Sequence, residues 1–435
     1  LPRASAAQCG HGQPAQASKR GAFMTHTSTL TRGQRIRRTS DAHWLDSERL
    51  RLYSYVALVC YALFFGIWTF RACVLDVSGV FDPGGDFVVF WSAAKLTLAH
   101  GAAAPYDHAM LGKMEFATVP EMALGYEALP WLYPPTFLFF VLAFGLLPYG
   151  LATFLFLAGG AAWYAWMLCR TLPREAWLAA LAFPGIAVVL AAGQNSLWLA
   201  GCAGLALACL HTRPVLAGML LGLLTVKPHL ALMFPVALLC ARNWRALGSM
   251  AVTAAGLILL ALLAFGTEPF AAFLSNAGRA AAQVEKGAAL LVRMPTVFAA
   301  VQMLRGGTAL SYALHGMVAA SALAAVVYAW SRPCSFSLRA AVLCCAGLLV
   351  PAYLWDYDLA LLGLAIAWLG MHGHRHGWLR GERELLVVLW LLPLCGMTMG
   401  ERFGFQPMAL GLMLGLALGI WRIRQERTGK APRDA

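Results

Sequence analysis

The side chains most able to do chemistry are a few polar residues set in an otherwise apolar chain. Asp86 stands in Gly84-Gly85-Asp86-Phe87-Val88-Val89-Phe90-Trp91-Ser92-Ala93-Ala94-Lys95, just after the first membrane-length apolar run. Pro83, Gly84 and Gly85 break the chain, and apolar residues then recur at helical spacing from Phe87 to Leu98. This predicts a short amphipathic helix with Asp86 at its head. A carboxylate there either caps the helix by accepting a first-turn N–H or serves as a base in a cavity at the water–lipid boundary. The two uses are compatible, because a helix N-terminus favours the charged, basic form. Lys227 lies inside the apolar stretch Gly218 to Leu239. An ionisable residue there points to function unless it snorkels to a helix end. Pro228 beside it frees backbone groups, which suits a cavity wall. His229 is either a second donor to an anion or a satisfied polar residue. Gln194 and Asn195 are amides too costly to leave bare in lipid. Asp356 and Asp358 can bind sugar hydroxyls or serve as interfacial charges, and Arg293 can pair with an anion or stay solvated.

A carboxylate base, cations above an apolar groove and the aromatics Trp91, Trp131, Tyr133 and Trp355 suit the transfer of a sugar carried on a lipid phosphate. The base takes the proton of the acceptor hydroxyl, and the cations stabilise charge on the departing phosphate. Aromatic rings stack on sugars, although they are also common at membrane interfaces without one.

The elements that position these residues follow from composition. The 435 residues are 60% hydrophobic and 12% charged, which excludes an ordinary soluble domain. Apolar runs of membrane length recur from about residue 52 to residue 424, as in a single all-α polytopic membrane domain. The net charge of +13 comes from basic residues scattered through short loops. That is a topology signal, not a phosphate-tracking patch, so no nucleic-acid partner is expected. The 11 cysteines lack metal-ligand spacing and several fall inside apolar runs, so neither a metal site nor a disulfide framework is expected.

In chain order, residues 1–50 read as a disordered basic cytoplasmic segment. Residues 51–424 read as the membrane domain and 425–435 as a cytoplasmic tail. Arg35, Arg37, Arg38, Arg49 and Arg51 precede the first span and place it outward-going. Residues 76–148 then stay on the outer side, with juxtamembrane helices. The run 136–147 does not cross, because Arg170 and Arg174 belong inside. The remaining runs give about twelve spans with both termini cytoplasmic. The stretch between Arg213 and Arg242 is too short for two full spans and reads as two short helices meeting at Lys227-Pro228.

Several pieces in fixed order resemble glycosyltransferase family 87, the polyprenyl-phosphate-sugar-dependent membrane transferases of GT-C architecture. They are Asp86-Phe87 with Phe90-Trp91-Ser92-Ala93-Ala94, then Pro105-Tyr106-Asp107, then Trp131 with Tyr133-Pro134-Pro135 and Leu147-Pro148-Tyr149. Gly193-Gln194-Asn195, Ala217-Gly218 with Gly222-Leu223 and Lys227-Pro228, and Asp356-Tyr357-Asp358-Leu359 complete the set. The resemblance spans roughly residues 76–365. It implies inverting transfer of a hexose, with mannose the leading guess, from a polyprenyl phosphate to a glycan or glycolipid outside the cytoplasm. Asp86 would be the catalytic base. Lys227, His229 and Arg293 are then assigned to the donor phosphate, and Trp91, Tyr133, Gln194, Asn195, Asp356 and Asp358 to sugar or acceptor. No cofactor is implied, since the lipid-linked sugar is a substrate. The setting would be the inner (plasma) membrane of a bacterium. The alternatives are a secondary transporter or flippase for a lipid-linked or small anionic substrate, whose charges should cluster near mid-membrane, and a non-catalytic lipid-binding or assembly protein.

Overall fold

Every regular element in the computed structural model is a helix, in line with the all-α expectation for the described residues, which are 43–75, 84–124, 127–286 and 291–428. Most of the expected N-terminal segment (1–42), the start of the outer loop through Pro83, and the tail beyond Thr428 lie outside the described residues. Six helices are long and apolar enough to cross a membrane. They are Ser47–Ala72, Tyr149–Thr171, Trp244–Phe265, Gly307–Trp330, Glu382–Phe403 and Pro407–Thr428. The first opens at Ser47, a turn earlier than the boundary expected at residue 51. It is also the most peripheral: 6% of its apolar window is buried, against 61% for Pro407–Thr428.

The other apolar runs fold as shorter helical stretches of 10–17 residues, several of them divided into still shorter helices and 3₁₀ turns. The segment 136–147 becomes a 3₁₀ turn, Pro135–Phe137, followed by the helix Leu138–Gly145. Its 8 residues span about 12 Å at 1.5 Å per residue, far short of the ~30 Å hydrocarbon core. This helix packs instead on Phe87–His100, where Gly145 meets Ala94 so closely that a Cβ on the glycine would touch it. Between Arg213 and Arg242 the chain forms Pro214–Gly222, the 3₁₀ turn Leu223–Val226, Pro228–Ala231 and Met233–Cys240, with the predicted break at Lys227.

Two apolar clusters hold the site between them. The smaller is aromatic: Phe87 and Phe90 pack on Phe137 and Phe156, with the Phe87 and Phe156 ring centroids 4.7 Å apart. It fastens the Phe87–His100 helix to the start of the Tyr149–Thr171 helix. The larger runs through Tyr164, Phe183, Phe234, Cys344 and Leu359, and fixes the ends of several short helices. From Ser47 onward the described chain is one compact unit.

Candidate active site

Asp86 ends a turn, Gly84-Gly85-Asp86, whose own carbonyls serve the first N–H groups of the helix. Phe87 N donates to Gly84 O (2.9 Å), Val88 N to Gly85 O (3.3 Å) and Val89 N to Asp86 O (3.2 Å). Asp86 is already helical, at φ −66 and ψ −16, and its side chain makes no cap. Its carboxylate turns away to a distant turn, where Gln194 Nε2 donates to Oδ2 at 2.9 Å. The main chains of the two turns are tied as well, Gly84 N to Ala191 O (3.0 Å) and Asp86 N to Ala192 O (2.8 Å). Gly193 makes the approach possible. It has φ +81, and a Cβ there would collide with the Gly84 carbonyl oxygen.

Behind Gln194 stands Tyr133, which is buried, its hydroxyl donating to Gln194 Oε1 at 2.9 Å. Asn195 Oδ1 is a longer second acceptor at 3.4 Å. Asn195 Nδ2 is buried and has no hydrogen-bond partner among the described residues. Tyr133 is in turn held by Tyr106, whose hydroxyl donates to the Tyr133 carbonyl at 2.8 Å.

The helix break at Lys227 places an ammonium against Asp358. Lys227 Nζ lies 2.6 Å from Asp358 Oδ1 and 3.4 Å from Ser196 Oγ, and Ser196 donates to the same carboxylate oxygen at 2.7 Å. His229 Nε2 stands 4.0 Å from Asp358 Oδ2. Two residues earlier, Asp356 receives Arg293 in a two-bond fork, Nε to Oδ2 and Nη2 to Oδ1, each 3.0 Å. The turn carrying Arg293 is anchored from the C-terminal helices by Gln406 Nε2, which donates to Val292 O at 2.6 Å. Tyr357 joins the two ion pairs. Lys227 Nζ lies 4.6 Å from its ring centroid and the Arg293 guanidinium 5.9 Å, while Lys227 is also 5.9 Å from the Tyr133 ring.

These neighbours set the ionisation. Burial pushes the Asp86 carboxyl above the usual aspartate range and the nearby Asp356 charge adds to this, against the Gln194 hydrogen bond and the positive charges of Arg293 and Lys227. Asp358 is the opposite case. Burial alone would raise it, but Lys227 and His229 overcome that and hold it below the usual range. Burial, with the charges of Asp358 and Asp86, raises Tyr133 well above the ordinary phenol range, so its hydroxyl keeps its proton and can donate.

Nine of the ten side chains singled out from sequence are thus brought together: Asp86, Tyr133, Gln194, Asn195, Lys227, His229, Arg293, Asp356 and Asp358. Trp91 is not. Its Nε1 donates to Leu147 O at 2.9 Å, and Lys95 lies over its ring. Trp131, also considered as a sugar platform, is fully buried and stacked on Phe137. Lys227, Asp356 and Asp358, each expected to meet substrate, are paired within the protein, because a charge at these buried positions needs a counter-charge whether or not substrate is bound. Sequence reasoning passed over Ser196 and Tyr357. The signals for them were a hydroxyl at a helix start directly after Gly193-Gln194-Asn195 and an aromatic between two aspartates. Among the described residues no group of three or more His, Cys, Asp or Glu is arranged to hold a metal ion.

A half-buried carboxylate within electrostatic reach of two paired cations, on a wholly helical frame of apolar segments among the described residues, defines a membrane protein with a built polar site. The chain belongs to glycosyltransferase family 87, whose sequence profile matches residues 131–354, just over half of its length. It is therefore a membrane glycosyltransferase. The matched stretch holds Tyr133, Gln194, Asn195, Lys227, His229 and Arg293, while Asp86 lies before it and Asp356 and Asp358 just after. No curated protein and no solved structure gives a match to the chain.

Proposed function

We propose that the protein moves a hexosyl residue, mannose first among candidates, from a polyprenyl-phosphate donor to a glycan or glycolipid acceptor, with inversion and with Asp86 as the general base. The observation that carries this reading is the Asp86 carboxylate itself. It does not cap its helix, one oxygen is held by Gln194, and it lies within electrostatic reach of Lys227 and Arg293. In the step, the acceptor O–H gives its proton to Asp86 while its oxygen bonds to the sugar's anomeric carbon. The bond from that carbon to the phosphate oxygen breaks, and its electron pair leaves with the polyprenyl phosphate. A carboxyl raised by burial is a better-matched base near neutral pH than an ordinary aspartate. Both cations are paired, Arg293 with Asp356 and Lys227 with Asp358, but Arg293 keeps 24% side-chain exposure against 6% for Lys227 and is the better placed to meet the phosphate. Asn195 Nδ2 offers a free donor to a sugar hydroxyl. On this reading the short apolar helices join end to end in a GT-C-like bundle of about twelve crossings, with the site on the extracytoplasmic face of a bacterial plasma membrane and both termini inside.

The test is a panel of labelled polyprenyl-phosphate mannose, glucose and galactose supplied to membranes containing the protein or its Asp86→Asn variant. Label entering an envelope glycan or glycolipid with the parent and not with the variant is the expected result. No transfer from any donor, or equal transfer by both proteins, overturns the assignment.

A further inference from the structure

We propose that Gln194 is the positioning residue for Asp86, and that Tyr133 locks its amide so that one carboxylate oxygen is held and the other is left for the acceptor's proton. This rests on the reading of Asp86 as the base. The orientation of the amide is fixed at both ends. Tyr133 OH donates to Oε1, which turns Nε2 toward Asp86. The reversed amide would set its oxygen against a carboxylate oxygen, an acceptor facing an acceptor. One donor and one acceptor position of Gln194 are therefore taken inside the protein, and these two bonds fix the amide's orientation toward Asp86.

The main chain repeats the arrangement. Gly84 N and Asp86 N donate to Ala191 O and Ala192 O, so a single turn, residues 191–194, fixes both the backbone and the side chain of Asp86. Tyr133 carries that turn's orientation back to the aromatic cluster through Tyr106 and through Phe137, whose ring centroid is 4.6 Å from its own. A group held by one oxygen keeps the other oxygen's direction, which is what an in-line proton transfer needs. The charged and titratable groups around Asp86 are Arg293, Asp356, Lys227, Tyr133, Tyr357 and Glu115. Gln194 is the hydrogen-bond donor to its carboxylate among the described side chains.

The experiment follows the protonation of Asp86 directly, without substrate. Infrared difference spectra of the purified protein are recorded against pH, and the Asp86→Asn spectrum identifies the carboxyl band. In Gln194→Leu the midpoint moves to higher pH, because the charged form loses its donor. In Gln194→Glu it moves further, since a second carboxylate at hydrogen-bond distance opposes ionisation. Tyr133→Phe moves it the same way by less, as the amide is freed to turn. An unmoved midpoint in a folded Gln194→Leu protein overturns the proposal. If that variant does not fold, unmoved midpoints in Gln194→Glu and Tyr133→Phe overturn it equally. Transfer by Asp86→Asn separates the two readings. An inactive variant with unmoved midpoints refutes the positioning role alone, whereas an active one removes the base and the positioning role with it.

Discussion

The helices Phe87–His100 and His108–Thr118 each begin behind an aspartate, and the two aspartates are used in opposite ways. Asp107 is extended, at φ −79 and ψ 108, and its carboxylate folds back to accept from Ala109 N at 2.9 Å and Met110 N at 3.1 Å. Asp86 has a helical ψ of −16, and the turn before it serves the first-turn donors with main-chain carbonyls. Two glycines ahead of the aspartate thus relieve its side chain of capping duty. The same residue type at the same position in a helix is structural in one case and available in the other, and a single backbone torsion separates them.

The sharpest way to break this comparison is to exchange each carboxylate for its amide. Asp86→Asn should lower sugar transfer by about 10²–10⁴-fold, the usual worth of a general base, with the protein still folded. Asp107→Asn should transfer at the parent rate, since its amide oxygen still caps. Equal losses in labelled-sugar transfer would mean that both aspartates are structural.

Next in size is the ion pair behind the site. Asp358→Asn leaves Lys227 buried beside a neutral amide, and removing one partner of a buried pair typically costs about 3–5 kcal/mol. A large fall in melting temperature in detergent is expected, with much of it recovered in the double variant Lys227→Met, Asp358→Leu. If the single variant melts with the parent, the pair contributes nothing to folding and Lys227 returns as a free cation for substrate.

A third acid extends the comparison to pH. Glu115 is fully buried, accepts from Leu129 N at 2.9 Å, and has no partner at Oε1 among the described residues. Burial, opposed by that bond and reinforced by the Asp86 charge, raises it from 4.5 to about 7. The folded state therefore binds this proton more tightly than the unfolded state. The resulting stability is fully present below the unfolded value of 4.5 and is lost as pH rises through about 7. Glu115→Gln stays neutral, so its melting temperature relative to the parent should rise between about pH 5 and pH 8. A constant difference over that range would place Glu115 in ordinary solvent.

The smallest effect is the cap. Asp107→Ala should lose about 1 kcal/mol of stability by thermal melting and leave transfer unchanged.

Much of this arrangement was legible in the residues. The break at Pro83-Gly84-Gly85 announced a helix with Asp86 at its head, and Pro228 announced the break that holds Lys227. That the Asp86 carboxylate would not cap was not legible. It depends on a torsion and on Gln194, 108 residues away. The charge of Lys227 correctly called for an anion, but sequence could not say that the protein supplies it from Asp358, 131 residues on. Periodicity found the apolar runs and not their lengths as helices. Several stop at Gly or Pro well short of a span, because packing against neighbours satisfies the ends that a lone membrane helix would leave bare.

The contact between Gly84 and Gly193 bears on how the sequence is free to drift. Two stretches of main chain meet there with no side chain between them, so the approach of the two turns is set by backbone, with the aromatic cluster packed around it. Residues of the surrounding aromatic cluster can be exchanged for others of like volume while Asp86 keeps its register against Gln194. The permissiveness is gathered at the periphery, and the demand for a bare backbone falls on two positions. Both glycines hold a left-handed backbone, φ +88 and φ +81, and a side chain at either one meets its neighbours. A lineage can rewrite most of the shell around this carboxylate, but the two glycines have to be inherited together.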